Sequence, residues 1–235
     1  MKNQEQIQPS IGRVVAAGVA TALSLALLPV ASGQAISRPQ TFTENRALND
    51  GTGLGNEFIH GLTFFSDYPG ATLTSLTVEL NLTGGFNGQL FAYLANDTGY
   101  CVLLNRVGRD AGNLGGFIDP GMNVTFSDTA PNGDVHIYAS HDLSSPLTGL
   151  WASDGRETDP GTVVTGDLRS GLLSSFANGA ADGTWTLYVE DLVPGQQATL
   201  HSWTLNLTGI PEPGTGLLFG LGVCGVAVHA LRRRR

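Results

Sequence analysis

The 235-residue sequence predicts an all-β fold, a β-sandwich or jelly roll of short strands, and three observations carry that prediction. Apolar and polar residues alternate with a period of two, the spacing that buries one face of a strand and wets the other. Turn clusters separate these stretches, as in Gly84-Gly85-Phe86-Asn87-Gly88, Asn96-Asp97-Thr98-Gly99 and Pro131-Asn132-Gly133-Asp134. Only 14% of residues are charged and 32 are glycine, a balance that disfavours long helices.

The chain begins with a segment of a different kind. Lys2 and Arg13 form a basic region, and Val14 to Val30 is apolar, with Pro29 near its end. Small residues follow, Ala31-Ser32-Gly33-Gln34-Ala35, offering cleavage after Gly33 or after Ala35. Residues 1–35 therefore read as a secretory signal peptide. The apolar run is also long enough for an uncleaved anchor. Residues 36–54 read as a lead-in, and the sandwich is expected over 55–209, enough for one domain of ordinary size.

Within that body three strands are the clearest. In residues 72–84, Leu76, Val78, Leu80 and Leu82 alternate with Thr77, Glu79 and Asn81. In 183–192, Trp185, Leu187 and Val189 alternate with Thr184, Thr186, Tyr188 and Glu190. In 198–209, Trp203, Leu205 and Leu207 alternate with Thr204 and Asn206. Weaker strand signals fall at 58–65, 89–96, 100–106, 123–128 and 134–140. One short helix is expected around 167–178, with Leu172, Leu173 and Phe176 on one side. Gly183 lets the chain turn sharply into its strand. Trp185 and Trp203 share the inward alternation of their aliphatic neighbours, so they read as core residues.

The C-terminal segment, 210–235, again differs. Pro211-Glu212-Pro213 precedes an apolar run from Gly216 to Leu231, and Arg232, Arg233, Arg234 and Arg235 follow. The run is slightly short for a bilayer-spanning helix, but its glycines are tolerated in membranes. The four arginines form a membrane stop on the cytoplasmic side, which places the body outside, in agreement with the leader. Pro-Glu-Pro is extended and poor in donors, a suitable recognition element ahead of a membrane-type helix.

Charge excludes one class of partner. Residues 36–209 hold six arginines against 18 acidic residues, a net charge of −12. Such a surface repels phosphates, so no nucleic acid is expected as a partner. Cys101 and Cys224 are far apart in sequence and lie among apolar neighbours, reading as buried free thiols.

Two resemblances follow from these residues. Pro211-Glu212-Pro213, Gly214-Thr215, the apolar run and the arginine cluster resemble a PEP-CTERM sorting signal. The resemblance implies a protein of an exopolysaccharide-making bacterium whose tail is recognised and removed by an exosortase, a membrane protease-transpeptidase. His229, inside the apolar run, departs from the pattern. The body is similar to the P domain (P/Homo B domain) that follows the catalytic domain of furin- and kexin-like proprotein convertases. The residues that carry this are Asn105-Arg106-Val107-Gly108, Phe126-Ser127-Asp128, Leu173 to Phe176, Gly183-Thr184-Trp185, Asp191 and Ser202-Trp203. It implies a jelly-roll-like β-sandwich of about eight strands.

Catalytic chemistry is not expected. The subtilase triad belongs to a separate domain for which this chain has no room or motif. His60, His136, His141, His201 and His229 are scattered, and none starts an HExxH pair. His141-Asp142 is a sequence-adjacent dyad, and Glu157 with Asp159 is the best carboxylate pair, both on polar stretches. Asp97, Asp110, Asp119, Asp128 and Asp154 are oxygen ligands of the type Ca²⁺ takes, but no EF-hand or nonapeptide repeat organises them, so no metal site is assigned. Asn81, Asn96, Asn123 and Asn206 each start an N-x-S/T match, which means little in a bacterium.

The expected function is that of an exported, non-catalytic surface or extracellular-matrix protein. Its expected partners are the export machinery, an exosortase-type protease and an exopolysaccharide or surface protein, without a required cofactor. Two alternatives stand beside it. One is an accessory module stabilising a separate subtilisin-like serine protease. The other is a carbohydrate-binding matrix module that uses exposed aromatics such as Tyr93 and Tyr188.

Overall fold

The computed structural model describes residues 33–51, 58–64, 68, 70–138, 142 and 144–211. The leader before Gly33, the tail residues Glu212 and Pro213, and Arg232 to Arg235 lie outside the described residues, as do His141, Cys224 and His229.

The alternating stretches form the strands. β3 (Ala71–Gly84) and β9 (Ala198–Pro211) pair antiparallel from Ala71↔Pro211 to Gly84↔Ala198. Leu76, Val78, Leu80 and Leu82 of β3 and Trp203, Leu205 and Leu207 of β9 are buried on one face. β1 (Ile36–Ala47) pairs with the other edge of β9, β6 (Gly121–Phe126) with the other edge of β3, and β7 (Leu147–Trp151) runs parallel to β6. The sheet order is β1-β9-β3-β6-β7. The second sheet has the order β2-β8-β4-β5, built from β2 (Phe58–Phe64), β8 (Gly183–Asp191), β4 (Leu90–Ala95) and β5 (Tyr100–Asn105), all antiparallel.

The two inner faces meet in one hydrophobic core. Trp185 of β8 lies 4.9 Å from the ring of Phe176, and its indole N–H donates to the Ala181 carbonyl at 3.3 Å. Trp203 of β9 packs 4.9 Å from Phe42 of β1. The sequence therefore places both tryptophans correctly, as core residues of opposite sheets. Gly183 opens β8 with φ +129°, a conformation side-chain-bearing residues rarely adopt.

The chain departs from the sequence reading in four places. Residues 36–47, expected as lead-in, form β1, and 147–151 form β7, bringing the sandwich to nine strands among the described residues. Residues 134–138, the described part of the strand expected over 134–140, are not a strand. Val135–Ile137 is a 3-10 turn that buries His136 and leaves Ile137 49% exposed, the reverse of an inward Ile. The helix expected over 167–178 shrinks to a 3-10 turn, Leu173–Phe176. Gly171 prevents more, because its N–H donates to the Gly155 carbonyl and its own carbonyl accepts from Val102. Among the described residues no helix is long and apolar enough to cross a membrane.

Trp185→Ala empties the largest side-chain volume of its sheet and is expected to destabilise the fold by about 3–5 kcal/mol. Denaturant unfolding of the purified domain checks this; a midpoint within error of wild type contradicts the core assignment.

Candidate functional site

The densest polar chemistry is a buried charge network where the connections after β5, β6 and β7 meet. Asp154 is at its centre. One carboxylate oxygen accepts the Asn105 N–H at 3.2 Å and faces His136 Nδ1 at 2.7 Å. The other accepts from the Arg156 backbone at 3.3 Å and from its guanidinium at 3.2 Å. Arg156 also donates to Asp134 Oδ2 at 2.8 Å and to the Thr165 carbonyl at 2.7 Å. Arg169 reaches the Ser153 and Asp154 carbonyls, and Asn105 donates to the Arg156 and Thr158 carbonyls. Arg109 holds the Gly161 and Val163 carbonyls, each at 2.5 Å.

This geometry decides the protonation of His136. Its Nε2 faces the Arg109 carbonyl at 3.0 Å, which only accepts, and its Nδ1 faces a carboxylate. Both nitrogens satisfy these partners only as N–H donors, so the ring is an imidazolium between two acceptors. Burial alone pulls the pKa down, but the hydrogen bond and charge of Asp154, with the Arg109 carbonyl, raise it above the ordinary histidine value. Both ring nitrogens are thereby committed, and His136 and Asp154 are fully buried. The pair orients loops and presents no atom to a substrate.

The other sequence candidates are dispersed. Glu157 accepts from the Ser170 hydroxyl at 2.9 Å, while Asp159 accepts the Gly161 N–H at 2.7 Å within its own turn. Asp142 accepts from Ser144. His60 pairs with Glu44 at 2.8 Å, and His201 lies between Thr83 and Asn45. Asp128 caps the Leu173–Phe176 turn through the Leu173 and Ser174 N–H groups, Asp119 accepts from the Tyr138 hydroxyl, and Asp110 accepts the Ala111 N–H. Asp97 is exposed. Among the described residues no three His, Cys, Asp or Glu side chains gather as a metal site. Cys101 is buried, and burial pushes its thiol up to about 12. Asp191 is also buried, which raises its carboxyl to about 6, and it accepts the Ala198 N–H at 3.2 Å to close the crossing between β8 and β9.

Tyr93 and Tyr188 stand opposite each other on the outer face of the second sheet. Their rings stack 4.8 Å apart at an interplanar angle of 8°, with Tyr100 beside Tyr93 at 5.2 Å and Phe91 6.1 Å from both. The Tyr188 hydroxyl donates to Glu190. Each tyrosine thus gives one ring face to the other.

Gly33, Ala35 and Pro211 lie at one corner of the first sheet. Pro211, the first residue of the Pro-Glu-Pro motif, is the last residue of β9 and pairs with Ala71. Gly33 lies against it: a methyl group there would sit 2.5 Å from the Pro211 carbonyl oxygen. Ala35 is exposed and immediately precedes β1.

The described residues form a two-sheet β-sandwich with a tryptophan buried in each sheet and charges packed under its loops. Residues 153–207 match the proprotein convertase P-domain, a span that contains Asp154, Arg156, Arg169, Trp185 and Trp203. Residues 209–235 match the PEP-CTERM protein-sorting motif, which implies export and anchoring of the C-terminus in the membrane before processing by exosortase-type machinery. The chain is also similar to one in the crystal structure of Aeromonas sobria serine protease in complex with the chaperone ORF2. The two share 17% identity and a TM-score of 0.41, over 76% of this chain and 28% of the length of that one. No curated protein matches the chain.

The His136 pairing makes stability depend on pH. Because its folded pKa is raised, the contribution is complete below the unfolded value of about 6.5 and is lost as pH rises through the folded value. The wild-type unfolding midpoint should therefore fall as pH increases above neutrality. His136→Ala should lack this slope and be less stable by about 3–5 kcal/mol at low pH. A wild-type midpoint independent of pH in this window contradicts the imidazolium assignment.

Proposed function

We propose that this chain is an exported surface or extracellular-matrix protein, carried out by its N-terminal leader, displayed through its P-domain-like sandwich and processed at its C-terminal tail. The observation that carries this reading is the position of Pro211. The motif begins where β9 ends, so cleavage beyond it detaches the apolar tail and leaves every described strand whole. The sandwich acts as a non-catalytic module. In support of this, the buried His136–Asp154 pair is spent on loop closure, and Asp159 and Asp128 are engaged in a turn and a cap. The acidic body, at −12 over residues 36–209, suits a protein that stays soluble once released.

Pro211→Ala/Pro213→Ala should convert a released chain into a larger, membrane-retained species, with the domain folded. Fractionation and intact-mass measurement from a host carrying the sorting machinery read this directly. Normal release of the variant at the mature mass refutes the tail's role.

A further inference from the structure

The end of the sandwich where β8 crosses to β9 gathers oxygen ligands from three distant parts of the chain. Asp191, the last residue of β8, is fully buried, and its Oδ2 accepts the Ala198 N–H at 3.2 Å. Asp50 is its partner in a parallel bridge, and the Gly51 N–H donates to the Asp191 carbonyl at 3.0 Å. Bridge partners lie about 4.8 Å apart and set their side chains on the same side. The half-buried Asp50 carboxylate accepts the Gly195 N–H through both oxygens, at 2.9 and 3.1 Å. Two carboxylates thus converge on the connection between Asp191 and Ala198. Gln89 is the third member of this corner. Its backbone carbonyl accepts the Leu192 N–H at 2.9 Å, and the next residue, Leu90, pairs with Asp191.

Two oxygen atoms here, Asp191 Oδ1 and Gln89 Oε1, are buried without a hydrogen-bond partner. Gln89 is 8% exposed and Asp191 not at all. An amide oxygen and an ionised carboxylate oxygen are both acceptors, so neither satisfies the other. Leaving such atoms unpaired away from water is costly. Burial raises the Asp191 carboxyl to about 6, the Ala198 and Val193 N–H groups offset part of this, and the negative charges of Asp50 and Glu190 raise it further. The corner therefore concentrates charge of one sign around unpaired acceptors. Two carboxylates and an amide carbonyl form an all-oxygen set, which suits a hard cation rather than zinc or copper, whose sites favour nitrogen and sulfur. Ca²⁺ tolerates an irregular set completed by water, whereas Mg²⁺ demands near-octahedral geometry. Water reaches this corner beside Asp50 and the exposed residues 194–197.

We propose that this corner binds one Ca²⁺ ion through Asp191 Oδ1, Gln89 Oε1 and the Asp50 carboxylate, with water completing the shell. The ion neutralises the paired carboxylates and ties the segment after β1 to the start of β4 and the end of β8. The site is independent of the sorting reading, because none of its ligands belongs to the tail. Calorimetric titration of the full chain in detergent, stripped with chelator and then given CaCl₂ alone, tests it. One ion should bind with a Kd on the order of 10⁻⁴ M, the range of extracellular modules. At about a hundred times Kd the thermal midpoint should rise by about 5–10 °C, and MgCl₂ at the same concentration should give a much smaller rise. Asp50→Asn, changed at a half-buried position, should stay folded and bind about tenfold more weakly. Gln89→Glu separates a ligand from a hydrogen-bond donor. If the amide oxygen is a ligand, the added charge tightens binding by about tenfold. If instead the amide nitrogen holds Asp191, Gln89→Glu sets two carboxylates together, lowers the midpoint and gives no Ca²⁺ response, which overturns the site. No heat of Ca²⁺ binding, equal midpoint shifts with Mg²⁺, or wild-type affinity in Asp50→Asn each overturns it as well.

Discussion

The fold depends on β9 being paired along both of its edges. β3 holds one edge over the whole strand and β1 holds the other, while Trp203, Leu205 and Leu207 fill the core beneath. This one strand joins the start of the domain to its end, and the sorting motif leaves directly from it. Its pairings with β1 and β3 link residues far apart in sequence, so the sheet forms only when most of the chain is present. A truncated chain lacking β9 loses an interior strand of one sheet rather than an edge.

The second organising feature is electrostatic. Asp154, Arg156 and His136 are charged and almost wholly removed from water. Burying such groups is costly unless every charge is paired and hydrogen-bonded, and here the carboxylate takes four donors. The network replaces a hydrophobic core under the long loops, where strands are absent and apolar residues few. It also spans the boundary of the P-domain match, tying Asn105 and His136 to the matched residues 154–169.

The central strands were legible because their period-two pattern reports burial on one face only. β1 was not, for a physical reason: it is an edge strand with mostly polar, exposed side chains and a proline at position 39, tolerated because an edge need not donate on both sides. Residues 134–140 misled because Val135 and Ile137 mimic alternation. Asp154 holds His136 inward beside Val135, and the 3-10 turn sends Ile137 outward. Asp154 and Arg156 read as part of a polar loop, since charge type in sequence carries no information about partners brought by the fold. The tail motif was legible because its order of residue types is local; the contact of Pro211 with Gly33 was not, because the two meet only through β1 and β9.

The meeting of Gly33 with Pro211 also bears on how such a module travels between architectures. A domain whose two ends emerge at one corner can be spliced into a surface loop of an unrelated protein without stretching either, or rejoined there and opened elsewhere as a circular permutant. The sandwich thus closes on itself at one corner, where β1 begins and β9 ends.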